Sequence, residues 1–370
     1  MIRYLTAGES HGVGYTLIID GFPAGFKIDF NHLQSFLNKR QNFFGRSTRS
    51  CWEENLFRIL SGVSEGVTTG APLSFFIENN SKSQKKPFKD HLKTPRPGHA
   101  DLAGMLKFDH KNVELVWERA SGRETVVRTL CGALSLQFLK EFEIDSLSHV
   151  TNIGGVKTPP SKNTFSSLKN ALSSSNLLCS DSEIEELMKE KIKSAEKEKT
   201  SLGGIFELRM THLPIGLGSY TQWDQKLDAL IAHDLMSIQG IKGVQFGIGF
   251  LYGETPGHQA HDEIISTTQR KTNNAGGIEG GMTNGEEIIV SCTVKPPATL
   301  LKPLSSIDVD TQEKTKAFVS RSDVCFVPSA AVVGEAVLGI QILNAFLKKF
   351  GGDSLSQTKK HYETYCKQIK

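Results

Sequence analysis

The sequence predicts an α+β fold in which antiparallel sheets and long helices form a layered β-α sandwich. Several segments rich in β-branched and aromatic residues alternate apolar and polar side chains, as antiparallel strands with one covered face do. Strands and helices do not alternate regularly, which disfavours a doubly wound parallel sheet. Residues 66–80 and 281–295 each read as a Gly/Thr turn followed by a strand, which favours an internally duplicated core.

The predicted elements follow from turn signals, caps and periodicity. The chain reads directly into a strand at its N-terminus, and further strands are predicted at 14–20, 71–78, 204–211, 243–250 and 286–294. Apolar stripes predict helices at 29–41, 124–142, 182–199, 225–238 and 330–350. Asp29 is the expected N-cap of the first helix, and Ser182 with Glu185 has the spacing of a capping box.

The remaining stretches are predicted to be irregular. Residues 79–94 and 157–182 are rich in Lys, Ser and Pro, which indicates surface loops. The last dozen residues are polar and are predicted to be loose. We therefore expect one domain over residues 1–350 and a polar tail over residues 351–370.

Composition narrows the class of protein. With 370 residues, 38% of them hydrophobic, the chain can bury a sizeable core, and a net charge of +3 disfavours a nucleic-acid-coating protein. Six cysteines without a CxxC pair argue against a zinc knuckle or a disulfide framework and suit a reducing compartment. The N-terminus lacks the pattern of a signal peptide, and no apolar stretch is expected to reach the roughly 18 residues of a membrane span. These features predict a cytoplasmic protein that binds neither nucleic acid nor membrane.

The stretch GESHG, residues 8–12, fits the G-x-S-x-G pattern of a hydrolase nucleophile elbow. An elbow needs a helix after the turn, whereas VGYTLIIDGFP reads as a strand, and only seven residues precede Gly8. Ser10 is therefore a poor nucleophile candidate. His11, on a tight turn between glycines, is a candidate proton donor or anion ligand, with an ordinary exposed histidine as the alternative.

Two further loops carry cations. In KRQNFFGRSTR, residues 39–49, no carboxylate appears before Glu53, so Arg40, Arg46 and Arg49 suit a phosphate or carboxylate, although a solvated basic loop is the alternative. In TPRPGHAD, residues 94–101, two prolines stiffen the chain around His99, which favours a ligand-holding loop.

ERASGRET, residues 118–125, predicts a helix start. Ser121 and Glu124 have capping-box spacing, which places the helix N-terminus at about Gly122. The free N–H groups there, flanked by Arg119 and Arg123, form a ready anion site, and simple capping with surface arginines is compatible with it.

The later motifs are less specific. Residues 273–285 and 294–299 are rich in glycine or proline but fit neither the Rossmann nor the P-loop pattern. His258 and His261 have no predicted helix to present them, so we expect no metal site. Arg321 and Asp323 occupy alternate positions, so Asp323 is a candidate base held by an arginine, or half of an ordinary ion pair.

Together these segments resemble the chorismate synthase family from Met1 to about Phe350. GESHGVGYTLIIDGFP (8–23), ERASGRETVVRTLCGAL (118–134) and RSDVCFVPSAAVVGEA (321–336) match its signatures. RPGHAD (96–101), GGIEGGMTNG (276–285) and the Lys-Pro stretch at 295 occur in the family's order.

The resemblance implies an activity and an assembly. The family converts 5-enolpyruvylshikimate 3-phosphate to chorismate, the last common step of aromatic amino-acid biosynthesis, by anti elimination of the C3 phosphate and a C6 hydrogen. The family requires reduced FMN, although the reaction has no net redox change. The resemblance also implies that the protein is a homotetramer. NADPH is the candidate reductant of the flavin.

The resemblance also implies residue roles. His11 would protonate the leaving phosphate, His99 would stabilise the anionic reduced flavin, and Asp323 would assist flavin N5 in taking the C6 proton. The implied FMN contacts are Arg119, Ala120, Ser121, Gln239, Gly240, Gly280, Lys295, Pro296, Pro297, Ala298, Thr299 and Arg321. The implied substrate or NADPH contacts are Arg40, Arg46, Arg49 and Arg123.

Two departures from the family pattern and two rival functions bear on these expectations. Gly122 replaces a common alanine, which loosens the helix start, and Pro297 lacks an N–H in an FMN-binding stretch. A flavin reductase or FMN-binding protein would keep the FMN contacts without needing His11, Asp323 and the arginine loop together. A non-enzymatic anion-binding module would not need histidines on rigid turns.

Overall fold

Two larger antiparallel sheets, four two-stranded sheets and the helices make up the fold of the described residues, as seen in a computed structural model that describes residues 1–46, 55–79, 92–159, 163–319 and 322–369. The strands are β1 (Arg3–Gly8), β2 (Gly14–Asp20), β3 (Phe57–Ser61), β4 (Val63–Ser64), β5 (Val67–Thr68), β6 (Leu73–Glu78), β7 (Asp145–Ile153), β8 (Val156–Lys157), β9 (Gly204–Thr211), β10 (Ile241–Phe246), β11 (Ile264–Ser266), β12 (Gln269–Arg270), β13 (Ile278–Glu279), β14 (Met282–Thr283), β15 (Ile288–Val294), β16 (Ser305–Ile307) and β17 (Lys314–Lys316). The helices are α1 (Phe30–Lys39), α2 (Asp101–Phe108), α3 (Val113–Ala120), α4 (Thr125–Lys140), α5 (Phe165–Leu172), α6 (Ser182–Lys197), α7 (Leu227–Met236), α8 (Gly257–Ala260), α9 (Val327–Phe350) and α10 (Leu355–Gln368).

Both larger sheets are antiparallel, as the alternating patterns predicted. The first has the strand order β1-β2-β6-β3, and the second has the order β10-β15-β9-β7-β8. In β2 the side chains of Tyr15, Leu17 and Ile19 are buried while Ile18 is exposed, so one face of the first sheet covers the core. The α+β class is confirmed.

The long helices α4 and α9 contact each other at the centre of the fold. Helix α4 also contacts β1 and β2, and α9 contacts β7 and β9. Small residues allow the close approach: a Cβ on Gly132 would lie 2.3 Å from the carbonyl oxygen of Ala336. A larger residue at Gly132 would therefore force the two helices apart. The layered sandwich and the duplicated core stay predictions.

Helix α9 corrects the expectation that no stretch is long and apolar enough to cross a membrane. Val327–Phe350 meets that test by length and composition, and 89% of its most apolar window is buried within the protein. Such burial is what a central core helix shows.

Several element predictions are confirmed closely. The strands at 14–20 and 204–211 have the expected bounds. Asp29 caps α1 by accepting a hydrogen bond from the His32 N–H. The strand expected at 243–250 begins earlier, at Ile241, and ends at Phe246, and residues Gly249–Gly253 form a 3₁₀ helix instead.

The capping box predicted at Ser182 and Glu185 is wrong by one residue. Asp181 caps α6, because its carboxylate accepts from the N–H groups of Glu183 and Ile184. Glu185 is buried and accepts from the Asn176 N–H at 3.0 Å and pairs with Lys189 at 2.8 Å. The acidic side chain thus ties the preceding loop to the helix.

Two segments expected to be irregular contain helices. The stretch 157–182 includes α5, capped by Thr164 and anchored by the buried Leu168. Residues 355–368 form α10, where the Tyr362 ring lies 5.5 Å from that of Phe346, so the end of the chain is not loose. Residues 80–91 of the other predicted loop lie outside the described residues. The division into a domain over 1–350 and a tail over 351–370 stays a prediction.

Candidate active site

The turn that carries His11 joins β1 to β2. The Gly12 N–H donates to the Glu9 carbonyl at 3.3 Å, and β2 begins at Gly14. Gly8 has a φ of 127°, and a Cβ there would lie 2.4 Å from the Gly14 carbonyl oxygen, so the turn requires glycine. Because the turn joins two antiparallel strands, Ser10 is not on a nucleophile elbow.

Asn79 holds this turn from one side. Its Nδ2 donates to the carbonyls of Glu9 at 3.0 Å and Gly12 at 2.8 Å. Its Oδ1 accepts from Arg123 Nε at 3.3 Å and Nη2 at 3.2 Å. Asn79 is buried, so one carboxamide connects the turn to the start of α4.

Glu118 of α3 holds the turn from the other side. Its Oε2 accepts from the His11 backbone N–H at 2.8 Å, and its Oε1 lies 3.1 Å from His11 Nδ1. The Glu118 carbonyl accepts from the Ser10 N–H at 3.0 Å. The Glu118 side chain is 6% exposed and that of His11 is 35% exposed, so a buried carboxylate orients an accessible imidazole.

The helix start predicted near Gly122 is confirmed, but only half of the capping box forms. Ser121 Oγ accepts from the Arg123 N–H at 3.2 Å, and a 3₁₀ turn over Gly122–Glu124 leads into α4. The Glu124 carboxylate instead accepts from Thr6 Oγ1 at 3.1 Å and Gln239 Nε2 at 3.2 Å. Arg119 donates to the Thr6 carbonyl at 2.9 Å, so this corner is bound to β1.

His99 also contacts a buried carboxylate. Asp101, fully buried, hydrogen-bonds His99 Nδ1 and accepts from Arg96 Nε at 2.9 Å. Burial raises the pKa of Asp101, but the His99 and Arg96 hydrogen bonds outweigh it and bring the pKa down to about 2. The Arg96 guanidinium lies 4.2 Å from the Trp117 ring and donates to Thr299 Oγ1 at 2.8 Å.

Lys295 lies beside the His99 loop. Its Nζ hydrogen-bonds the Gly98 carbonyl, and its backbone N–H donates to the Gly240 carbonyl at 2.9 Å. Burial, followed by the charge of Lys242, lowers the pKa of Lys295. A partly buried lysine that feels the charge of a second, exposed lysine favours an anionic ligand.

Arg46 and Asp323 form an ion pair far apart in sequence. Arg46 Nη1 lies 2.7 Å from Asp323 Oδ2, and their side chains are 14% and 19% exposed. The Gly45 carbonyl accepts from the Val324 N–H at 3.1 Å, which fixes the two segments together.

Comparison with known proteins decides the family. The sequence model described as chorismate synthase matches residues 2–347 of this chain. The chain belongs to the chorismate synthase family.

Relatives and a solved structure agree with this family. The chorismate synthase of Alkaliphilus metalliredigens is 47% identical over 378 residues, covering 99% of this chain and 99% of that protein. The chorismate synthase of Geobacter sulfurreducens is 44% identical over 391 residues, with full coverage of both. A crystal structure of a chorismate synthase superposes with a TM-score of 0.82 at 35% identity, covering 100% of this chain and 98% of that one.

Several residues that the chorismate synthase resemblance singled out make these contacts. Helix α3 connects both histidines, because Glu118 contacts His11 while the neighbouring Trp117 stacks on Arg96 beside His99. Arg40 is buried and donates to the Gly122 carbonyl at 2.9 Å and to Thr125 Oγ1. It therefore holds the start of α4, and its role in ligand binding stays a prediction.

The other predicted contact residues occupy varied positions. Gly280 lies in the β13–β14 turn with a φ of 58° and open space where a Cβ would be, and Ala120 ends α3. The Pro297 carbonyl accepts from Ser201 Oγ at 2.8 Å, within the Lys295, Pro296, Ala298 and Thr299 stretch. Arg49 and Arg321 lie outside the described residues. Within the described ranges, no group of three or more His, Cys, Asp or Glu could hold a metal ion.

Sequence reasoning missed the residues that orient the histidines. Glu118 lies 107 residues from His11, and Asn79 lies 67 residues from Gly12. No local pattern links partners at such separations. Asp101 lies only two residues from His99 in the sequence, but its burial and its hydrogen bond to Nδ1 are what identify it as the partner of that ring.

Proposed function

We propose that the protein is the lyase that converts 5-enolpyruvylshikimate 3-phosphate to chorismate and phosphate with reduced FMN. Membership of the chorismate synthase family over nearly the whole chain is the observation that carries the lyase activity. The C3–O and C6–H bonds break, the ring double bond shifts and a second double bond forms, while the proton and the phosphate leave, so the reaction has no net redox change. We further propose a cytoplasmic homotetramer that binds a small anionic substrate.

The residues near Lys295 fit a flavin phosphate and ring. Lys295 is partly buried and feels the positive charge of Lys242, and an anion bound at Lys295 would offset both effects. Gln239 Oε1 and Trp117 Nε1 are buried and lack hydrogen-bond partners among the described residues, so a polar ring could satisfy them.

The residues that would hold FMN are those that the family pattern marks. They are Arg119, Ala120, Ser121, Gln239, Gly240, Gly280, Lys295, Pro296, Pro297, Ala298, Thr299 and Arg321. Reduced FMN, when bound, supplies an electron-rich ring that can donate charge transiently to the substrate and recover it.

The chain's own residues would supply the proton transfers. His11 would donate a proton to the departing phosphate oxygen, and its accessible ring on a tight turn supports this role. Asp323 would assist the removal of the C6 proton, with Arg46 holding its carboxylate in place. His99, oriented by Asp101, would stabilise negative charge beside it.

The arginines would neutralise the substrate. It carries a phosphate and two carboxylates, which forked guanidinium groups bind well. Arg40, Arg46, Arg49 and Arg123 are the proposed contacts to substrate or NADPH. The guanidinium of Arg46 has a buried Nε without a partner among the described residues, which supports its availability to an anion.

An anaerobic assay tests the proposal. Purified protein is mixed with the substrate and chemically reduced FMN, and phosphate and chorismate are measured. Equal amounts of both products are expected. The alternative, a flavin reductase or FMN-binding protein without lyase chemistry, predicts FMN binding with neither product. Bleaching of oxidised FMN by NADPH in the same preparation would show whether the protein reduces its own flavin.

A further inference from the structure

The buried carboxylate of Glu118 directs both of its oxygens at one residue. Oε2 accepts from the backbone N–H of His11 at 2.8 Å, and Oε1 lies 3.1 Å from its ring Nδ1. A carboxylate that far from water is costly unless donors satisfy it. Because an ionised carboxylate only accepts hydrogen bonds, Nδ1 must carry a proton at this contact.

We propose that Glu118 is a positioning residue for the elimination: it fixes His11 with Nδ1 protonated, so that Nε2 is the nitrogen that delivers a proton to the leaving phosphate. This inference rests on the role proposed above for His11. In the step, the C3–O bond breaks with its electron pair on the phosphate oxygen. The Nε2–H bond breaks, a phosphate O–H bond forms, and neutral His11 keeps its Nδ1 proton against Glu118.

The surroundings of the pair make the orientation rigid. The Glu118 carbonyl binds the Ser10 N–H, and Asn79 binds the carbonyls on the opposite side of the turn. The titratable and charged groups around the pair are Glu9 on the turn, Tyr15 on β2, Arg119 on α3, and Arg123 and Glu124 at the start of α4. The Glu118 carboxylate contacts the His11 ring directly, at 3.1 Å from Nδ1.

The substitution Glu118→Gln tests the proposal because it keeps the side chain's shape. Glutamine has one accepting oxygen and cannot satisfy both donors of His11, so its amide would donate to Nδ1 and leave the ring proton on Nε2. We expect kcat to fall by about 100-fold, while the substrate KM and the FMN Kd change by less than about threefold. Loss of the carboxylate should also change the tautomer of the neutral His11 ring, with the proton on Nε2 instead of Nδ1.

Two matched variants separate charge from structure. Glu118→Asp keeps the carboxylate but shortens its reach, so we expect a reduced kcat while the neutral His11 ring stays protonated at Nδ1. Glu9→Gln removes an exposed carboxylate from the same turn, and we expect kcat to stay within about twofold of the wild type. The same His11 tautomer in Glu118→Gln and Glu118→Asp would overturn the proposal.

A measurement on the wild-type protein covers the case in which Glu118 variants fold poorly. Nitrogen NMR of protein with isotope-labelled histidine reports which ring nitrogen is protonated, and His11 is assigned by the signal lost in His11→Gln. We expect the neutral His11 ring to be protonated at Nδ1, and the Nε2–H tautomer would overturn the proposal. Full turnover in His11→Ala would refute the proposed role of His11 itself, whereas loss in His11→Ala with wild-type behaviour in Glu118→Gln would refute this inference alone.

Discussion

Replacing Asn79 with alanine should loosen the turn that carries His11. The change removes the amide that binds the Glu9 and Gly12 carbonyls, and it removes the oxygen that accepts from Arg123. The buried Arg123 and the part-buried carbonyls of Glu9 and Gly12 therefore each lose a partner, at about 1 kcal/mol apiece, which sums to about 3 kcal/mol of unfolding free energy. Because the turn is then less well fixed, kcat should fall by about 10- to 100-fold.

The melting temperature of the holoenzyme measures the first effect. At about 2.1 cal/mol/K per residue, a chain of this length has an unfolding entropy of about 0.8 kcal/mol/K, so 3 kcal/mol corresponds to about 4 °C. Asn79→Asp keeps the side chain's size but turns an oxygen toward the carbonyls, and it should lose at least as much. Asn38→Ala, on the exposed face of α1, is the control and should stay within about 1 °C of wild type. Wild-type melting and kcat in Asn79→Ala would refute the reasoning.

The further predictions concern charged groups of the site. Lys295→Ala should weaken FMN binding by about 10- to 100-fold in a fluorescence titration, because a charged hydrogen bond to the FMN phosphate is lost. Lys302→Ala, at an exposed position, is the control and should leave FMN binding unchanged. Wild-type FMN affinity should also decline as the pH rises, because Lys295 then loses its charge. The decline should begin below the ordinary pKa of lysine, since burial and the Lys242 charge lower the pKa of Lys295. Asp101→Asn should lower the free energy of unfolding by about 2 kcal/mol at neutral pH, because the pKa of Asp101, about 2, lies below its value in the unfolded chain. The difference between variant and wild type should disappear as the pH falls from about 4 to 2. Equal stability of the two proteins at neutral pH would contradict the prediction. Asp323→Asn should reduce kcat by about 100-fold with little change in FMN affinity, and an unchanged rate would remove Asp323 from proton transfer.

Local patterns predicted local structure well. Strand β2 has the expected bounds because its side chains alternate between a buried and an exposed face and glycines end it on both sides. Helix α5 was missed because its single buried residue, Leu168, gives no apolar stripe in a Ser-rich stretch. Helix α10 was missed for a related reason: its contact with the core depends on aromatic residues such as Tyr362 within a polar sequence.

In the candidate site, the sequence indicated the two histidines but not the residues that orient them. His11 and His99 stand on turns that glycine and proline mark in the sequence, so the residues themselves were recognisable. Their orienting partners depend on tertiary contacts: Glu118 reaches His11 from another helix, and Asp323 pairs with Arg46 across 277 residues. The contact of Arg40 could not be predicted either: this arginine, expected to bind a ligand, donates a hydrogen bond to the Gly122 carbonyl.

The role of His11 in the elimination is the central claim, and one paired measurement tests it most directly. His11→Ala is assayed anaerobically with reduced FMN for phosphate release, and its FMN Kd is measured in the same preparation. We predict that turnover falls by about 100-fold or more while the FMN Kd changes by less than about threefold. Turnover like that of the wild type, or equal losses of turnover and FMN affinity, would contradict the account.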